Sequence, residues 1–176
     1  MKKHNVKRHE VVQPLDTSYR YIPLTRGLNA VVDAEDFEHL SQWNWHALKS
    51  SKSNTLYAIR KHGVLMHRVL MKCEEYEQID HKDGDGLNNR KANLRKCDKY
   101  QNQHNRGLVC TNTTGYIGVT RNYYPRKDGI QTLYRAQIHI DGRQVTVCYS
   151  RDAETAARAY DKAARERGEF ARLNFP

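Results

Sequence analysis

Long apolar runs are missing from these 176 residues. Nothing approaches the roughly 18 consecutive apolar positions of a membrane-spanning helix, so no span is expected. The opening MKKHNVKRHE is basic with no apolar segment behind it, and it does not read as a secretory signal. Aromatics other than tyrosine are scarce, three Phe and two Trp against eleven Tyr, which predicts a modest core. The cysteines, at 73, 97, 110 and 148, lie far apart and form no CxxC pair. That spacing argues against a zinc cage or a disulfide framework and suits thiols in a reducing cytosol. No internal repeat is visible.

Acidic residues are the deficit with the largest consequence. Lys and Arg total 30 against 20 Asp and Glu, a net charge of +10. The excess is spread along the chain, with net charges of +2 over residues 1–59, +4 over 60–106 and +4 over 111–176. This is therefore not a neutral enzyme with a basic tail, and a polyanionic partner is expected.

Local patterns divide the chain into a basic, frayed start (1–19), an amino-terminal domain (20–106), a polar linker (107–112) and a carboxy-terminal domain (113–176). Tyr21–Leu24 and Ala30–Val32 read as a hairpin about Arg26-Gly27, followed by a short helix capped by Asp33 with Asp36 in its first turn. Leu56–Arg60 and Val64–Val69 read as strands joined at His62-Gly63. Trp43 and Trp45 belong in a core. In the last third, Tyr116–Arg121, Tyr134–Ile140 and Gln144–Tyr149 read as strands, with Asp141-Gly142 as the turn between the last two. A helix then runs from Asp152 to about Arg167, with Ala153, Ala156, Ala157, Tyr160, Ala163 and Ala164 on one stripe and Gly168 to end it. The fold class is α+β, its carboxy-terminal part a three-stranded antiparallel sheet packed on one helix. Alternation puts Tyr134, Ala136, Ile138 and Ile140 toward that helix and turns Arg135, Gln137 and His139 outward, with Arg121, Arg143 and Tyr123 as companions.

The chemically dense stretch is QIDHKDGDGLNNRKANLRKCDKYQNQHNR, residues 78–106, preceded by Met66-His67-Arg68 on a strand. Phosphodiester hydrolysis needs a base for water, a cation near the leaving oxygen, and something to orient the base. Asp80 and His81 are adjacent in an extended segment and point to opposite faces. Asp80 and the Asn102 side-chain carbonyl are hard oxygen donors that suit Mg²⁺ or Mn²⁺ better than Zn²⁺. His81 has the near-neutral ordinary pKa of a general base.

Asp80-His81, then Asn93, then Asn102 on a helix begun by Asp98 closely resembles the HNH (ββα-metal) nuclease motif in its variant with Asn at the last position. The strings MHR, DGLNNR and NLR resemble homing endonucleases of phages and introns. The resemblance implies an amino-terminal ββα-metal nuclease domain in which His81 activates water, Asp80 and Asn102 hold one divalent ion, and Asn93 braces the hairpin or orients His81. His104 is the alternative last motif residue, though the spacing favours Asn102. Arg68, Lys82, Arg90 and Arg95, with Lys91 and Lys96, are then candidates for phosphate contact.

A second resemblance covers 113–176. GYIGVTR, YRAQI and ETAARAYDKAARERGEFARLNFP are similar to the APETALA/ethylene-response-factor DNA-binding domain. That family reads the major groove with its three-stranded sheet, which makes Arg121, Arg135, Gln137, His139 and Arg143 candidate DNA contacts. Ile117, Tyr134, Cys148 and Ser150 depart from the plant pattern.

Plainer readings accompany these. Asp83 and Asp85 about Gly84 fit a solvated turn better than a calcium loop. The alanine stripe is core. Together the resemblances imply a sequence-directed DNA endonuclease of homing type that cuts double-stranded DNA in a bacterial host's cytoplasm, with no membrane partner, as a monomer or, for double-strand breaks, a dimer. The alternative from another class is a non-catalytic DNA-binding transcriptional regulator with a decayed nuclease domain. A third is RNA processing by the same chemistry.

Overall fold

Two compact units, residues 1–102 and 103–176, make up the chain. The computed structural model describes residues 8–50, 55–74, 76–105, 107–108, 111–140 and 142–176, with only the backbone of Gln103. Among these residues the fold is α+β, with four α-helices and several small antiparallel sheets. Among the described residues no helix is long and apolar enough to cross a membrane.

The first unit opens with the hairpin of β1 (Tyr19–Pro23) and β2 (Asn29–Asp33). Arg26 (φ 64) and Gly27 (φ 68) turn the chain between them. Helix α1 (Ala34–Ser41) follows, then a sheet of β3 (His46–Lys49), β4 (Leu56–Arg60) and β5 (Val64–Leu65). The strand expected through Val69 stops at Leu65, and Met66–Leu70 form helix α2. Met66, Val69 and Leu70 stand at i, i+3 and i+4, so a helical turn puts all three on the core, which alternation would not do. Trp45 is fully buried in that core and donates its indole N–H to the Leu40 carbonyl at 2.8 Å. Trp43 is partly buried, with the Arg60 guanidinium 4.4 Å from its ring centre. The unit ends with β6 (Gln78–His81), its antiparallel partner β7 (Leu94–Cys97), and the start of α3 (Lys99–His104).

Asp33 precedes α1 as expected but makes no side-chain cap bond. Its carboxylate instead accepts from Arg90 Nε at 3.0 Å and the Lys91 backbone N–H at 2.7 Å. Lys91 Nζ reaches Glu35 at 2.6 Å and Asp36 at 2.9 Å. With Val31 N–H donating to Leu87 O and Asn89 N–H to Val31 O, these bonds dock the loop between β6 and β7 on the first hairpin and its helix. The local cap was given up for a tertiary tie.

The second unit holds a sheet of β8 (Val119–Arg126), β9 (Gly129–Ile140) and β10 (Arg143–Ser150), with β9 central, and helix α4 (Ala153–Ala164). Asp152 caps α4 by accepting from Thr155 N–H at 2.7 Å. The α-helix stops before Arg167 and continues as a 3₁₀ turn, Arg165–Phe170, in which Gly168 has φ 63. Ala156, Ala157, Tyr160 and Ala164 pack on Val119, Ala136 and Ile138. The close approach has a requirement at Gly118 (φ 72), where a Cβ would overlap the Tyr160 ring. Of the expected Asp141-Gly142 turn, Asp141 lies outside the described residues, as do residues 1–7 of the expected frayed start.

Candidate active site

Strands β6 and β7 pair Gln78 with Cys97, Asp80 with Arg95 and His81 with Leu94. Paired residues share a face, so Gln78, Asp80, Arg95 and Cys97 lie on one side of the ribbon. Arg95 donates to Asp80 Oδ2 from both Nε (2.9 Å) and Nη2 (2.6 Å), and both side chains are almost buried. On the same face, the Asn102 amide donates to Gln78 Oε1 at 2.9 Å. Gln78 thus takes up the Asn102 side-chain nitrogen and leaves the Asn102 carbonyl oxygen out of this bond. Burial and the Asp80 carboxylate push the Cys97 thiol up to about 11, which keeps it protonated and inert beside this face.

His81 is buried at the carboxy-terminal end of β6. Its ring sits 4.9 Å from the His67 ring, edge on, and 5.8 Å from Tyr57. Tyr57 and His67 are themselves 5.7 Å apart, so three aromatic rings close a small box. The box depends on Gly86, because a Cβ there would meet the Tyr57 ring at 2.6 Å. Burial lowers the His81 pKa, opposed by Asp83, Asn89, Asp80 and Asp85 around it, and favours the neutral imidazole a base needs.

Neither Tyr57 nor His67 was singled out as a site residue in the sequence. The one signal was His67 inside the MHR string, read on a strand rather than on a helix. Burial, and to a lesser extent His81, lowers its pKa from 6.5 to about 3. Between those values the unfolded chain binds a proton that the folded chain refuses, so stability is lost as pH falls from about 6.5 toward 3. His67→Phe keeps a ring and removes that proton. Urea unfolding across this window should show a shallower acid dependence for His67→Phe, and identical slopes would contradict the assignment.

Asn93 braces the loop. Its Oδ1 accepts from Asp83 N–H at 3.1 Å, and its amide donates to Asp83 Oδ1 at 2.9 Å and Asn88 O at 2.8 Å. Asp83 and Asp85 are also spent on the loop, accepting from the backbone N–H groups of Asp85 and Leu87.

The candidate phosphate contacts of this unit all have partners within it. Arg68 donates to the carbonyls of Glu77 and Glu74, Lys82 Nζ to Ala92 O, Arg90 to Asp33, and Arg95 to Asp80. Each ties one segment of the site to the next.

In the second unit, Arg135, Gln137 and His139 share the face away from α4, where the register adds Thr120, Gln144, Thr146 and Tyr149. Gln137 reaches Thr146 Oγ1 at 3.5 Å, and Arg135 Nε has no hydrogen-bond partner among the described residues. The companions differ from expectation. Arg121 pairs with Tyr134, Tyr123 with Thr132 and Arg143 with Ile140, so all three lie on the helix-side face at its margins. Ile140, expected under the helix, is 48% exposed, because the helix cover ends at Ile138.

No protein-family model matches this chain, and no curated protein and no solved structure does.

Among the described residues no three His, Cys, Asp or Glu side chains converge as a cage for a metal. The donor set that fits a divalent ion is different: one carboxylate, Asp80, and one amide oxygen, Asn102, brought to one face through Gln78. Mg²⁺ is commonly held by one or two carboxylates, with water and substrate phosphate completing its shell. These residues fit that pattern.

Proposed function

We propose that the chain is a metal-dependent DNA endonuclease of the ββα-metal (HNH) kind, directed to its site by the carboxy-terminal sheet. The observation that carries this reading is the hairpin β6–β7 followed by α3, which brings Asp80 and Asn102 to one face through Gln78, beside a buried His81. His81 takes the proton of a water molecule on an imidazole nitrogen as the water oxygen attacks phosphorus. The P–O bond to the leaving oxygen then breaks. Asp80 and Asn102 hold the divalent ion, Mg²⁺ or Mn²⁺, which when bound stabilises charge on the phosphate and the leaving oxygen. Tyr57 and His67 keep the imidazole in one orientation, and Asn93 holds the loop that follows it. Arg95 fixes the Asp80 carboxylate through Oδ2.

The second unit supplies the address. A sheet face bearing Arg135, Gln137, His139, Thr120 and Tyr149 offers both donors and acceptors to base edges. Arg121 and Arg143 at the margins suit phosphate contact instead.

The test is supercoiled plasmid incubated with the protein and Mg²⁺, with EDTA as control. One motif per chain attacks one strand per docking event, so open circles should accumulate before linear DNA. EDTA-resistant cleavage would overturn the metal assignment, and concerted linearisation by a monomer would overturn the single-site stoichiometry. Duplex binding without Mg²⁺-dependent nicking would favour the regulator reading.

A further inference from the structure

Strands β8 and β9 pair from Val119–Ala136 out to Arg126–Gly129, whereas β10 covers β9 only from Tyr134 to Ile140. Residues 122–126 and 129–133 therefore form a two-stranded ribbon that runs past the third strand, a length of about 17 Å at the usual rise of a strand. None of its residues belongs to the cluster packed on α4. A bare two-stranded ribbon is marginal by itself and should carry polar side chains. This one instead leaves Ile130 73% exposed and Tyr123 62% exposed. Ile130 pairs with Pro125, so two apolar side chains share one face next to the turn. Arg126 and Lys127 follow at the turn, Arg126 on the opposite face, where a 3.0 Å bond to Gln131 Oε1 steadies it. A shallow groove of about 690 Å³ at the tip is lined by Arg126, Lys127, Asp128, Gln131 and Arg151 among others.

We propose that this ribbon is an arm that enters a groove of duplex DNA and sets Ile130 and Pro125 as a wedge against the base stack, bending the duplex. The proposal rests on the DNA-binding reading of the second unit. Charge complementarity selects the partner: Arg126, Lys127 and Arg151 outnumber Asp128 around the tip and give the apolar pair a cationic margin. A two-stranded ribbon fits a DNA groove, and Ile and Pro are among the side chains that unstack base steps. Pyrimidine–purine steps, the easiest to kink, are the expected positions.

The experiment uses the full chain and a duplex of mixed sequence, rich in TA and CA steps and labelled at both ends for energy transfer. Binding of the native protein should bring the ends together and raise transfer. Ile130→Ser should lose most of that rise, and Ile130→Leu should keep it. Arg126→Ala and Lys127→Ala should each lower the slope of log affinity against log salt by about 0.9. A native chain that binds the duplex without raising transfer overturns the wedge and leaves the DNA-binding reading intact. A chain that binds no duplex overturns both. If Ile130→Ser changes sedimentation of the free protein and leaves the bend unchanged, the tip is a protein contact and the proposal is wrong.

Discussion

Replacing His81 with alanine should lower plasmid nicking about 10²–10⁴-fold, the range typical of a lost general base. Duplex affinity should barely move, because a buried neutral imidazole offers little to a phosphate. Asp80→Ala should abolish Mg²⁺-supported nicking, since Asp80 is the one anionic donor assigned to the ion. It should also cost stability, because it strips the buried Arg95 guanidinium of its carboxylate. Asn93→Ala provides the contrast. Its side chain holds the loop through Asp83 and Asn88, so nicking and stability should fall together. His81→Ala empties a buried position and should also lower the urea midpoint, but its loss of nicking should far exceed that of Asn93→Ala. The measurements are initial nicking rates and urea midpoints on the same preparations. Native-rate nicking by His81→Ala would remove it from the chemistry.

Much of the scaffold was legible in the chain, and the misses have physical causes. Turns about Arg26-Gly27 and His62-Gly63 could be placed because glycine with positive φ is a local requirement. The helix start at Asp152 could be placed, and the cap found there closes within three residues. Asp33 looked the same locally, yet its carboxylate serves Arg90 and Lys91, far along the chain. No local pattern carries that information. Met66–Leu70 was read as strand because the segment is short and follows a strand, although the i, i+3, i+4 spacing of Met66, Val69 and Leu70 is helical. At the candidate site, Asp80, His81, Asn93 and Asn102 stood out because their chemistry is visible in one segment. Tyr57 and His67 come from other elements and meet His81 only in three dimensions. The outward set of Arg135, Gln137 and His139 followed from alternation within one strand, whereas Arg121 and Arg143 depended on register between strands, which the sequence left open.

Asp161→Ala should be the most destabilising single change in the second unit. Asp161 is 1% exposed on α4, and its carboxylate accepts from Asn174 N–H, Asn174 Nδ2 and Phe175 N–H at 2.8–3.0 Å. Asn174 in turn accepts from Ile117 N–H at 2.6 Å and donates to Ile117 O at 3.2 Å. One buried carboxylate thereby binds the chain's last residues to the helix, and through Asn174 to the segment entering β8. This is the physical content of the AYD and LNFP strings, which need each other across the fold. Hydrogen bonds to a charged acceptor contribute about 1.5–3 kcal/mol each and are not additive, so a loss of roughly 3 kcal/mol or more is expected. Asp161→Asn keeps the shape but turns an NH₂ toward backbone donors, and should recover little. Hydrogen exchange resolved by segment should show faster exchange around residues 116–119 and 173–175, with the hairpin β6–β7 unchanged. Asn174→Ala should reproduce the loss at Ile117 and leave the Phe175 bond to Asp161 in place. A small, uniform change for Asp161→Ala would mean that the carboxylate is replaceable by water and that the apolar contacts of Leu173 and Phe175 alone hold the terminus.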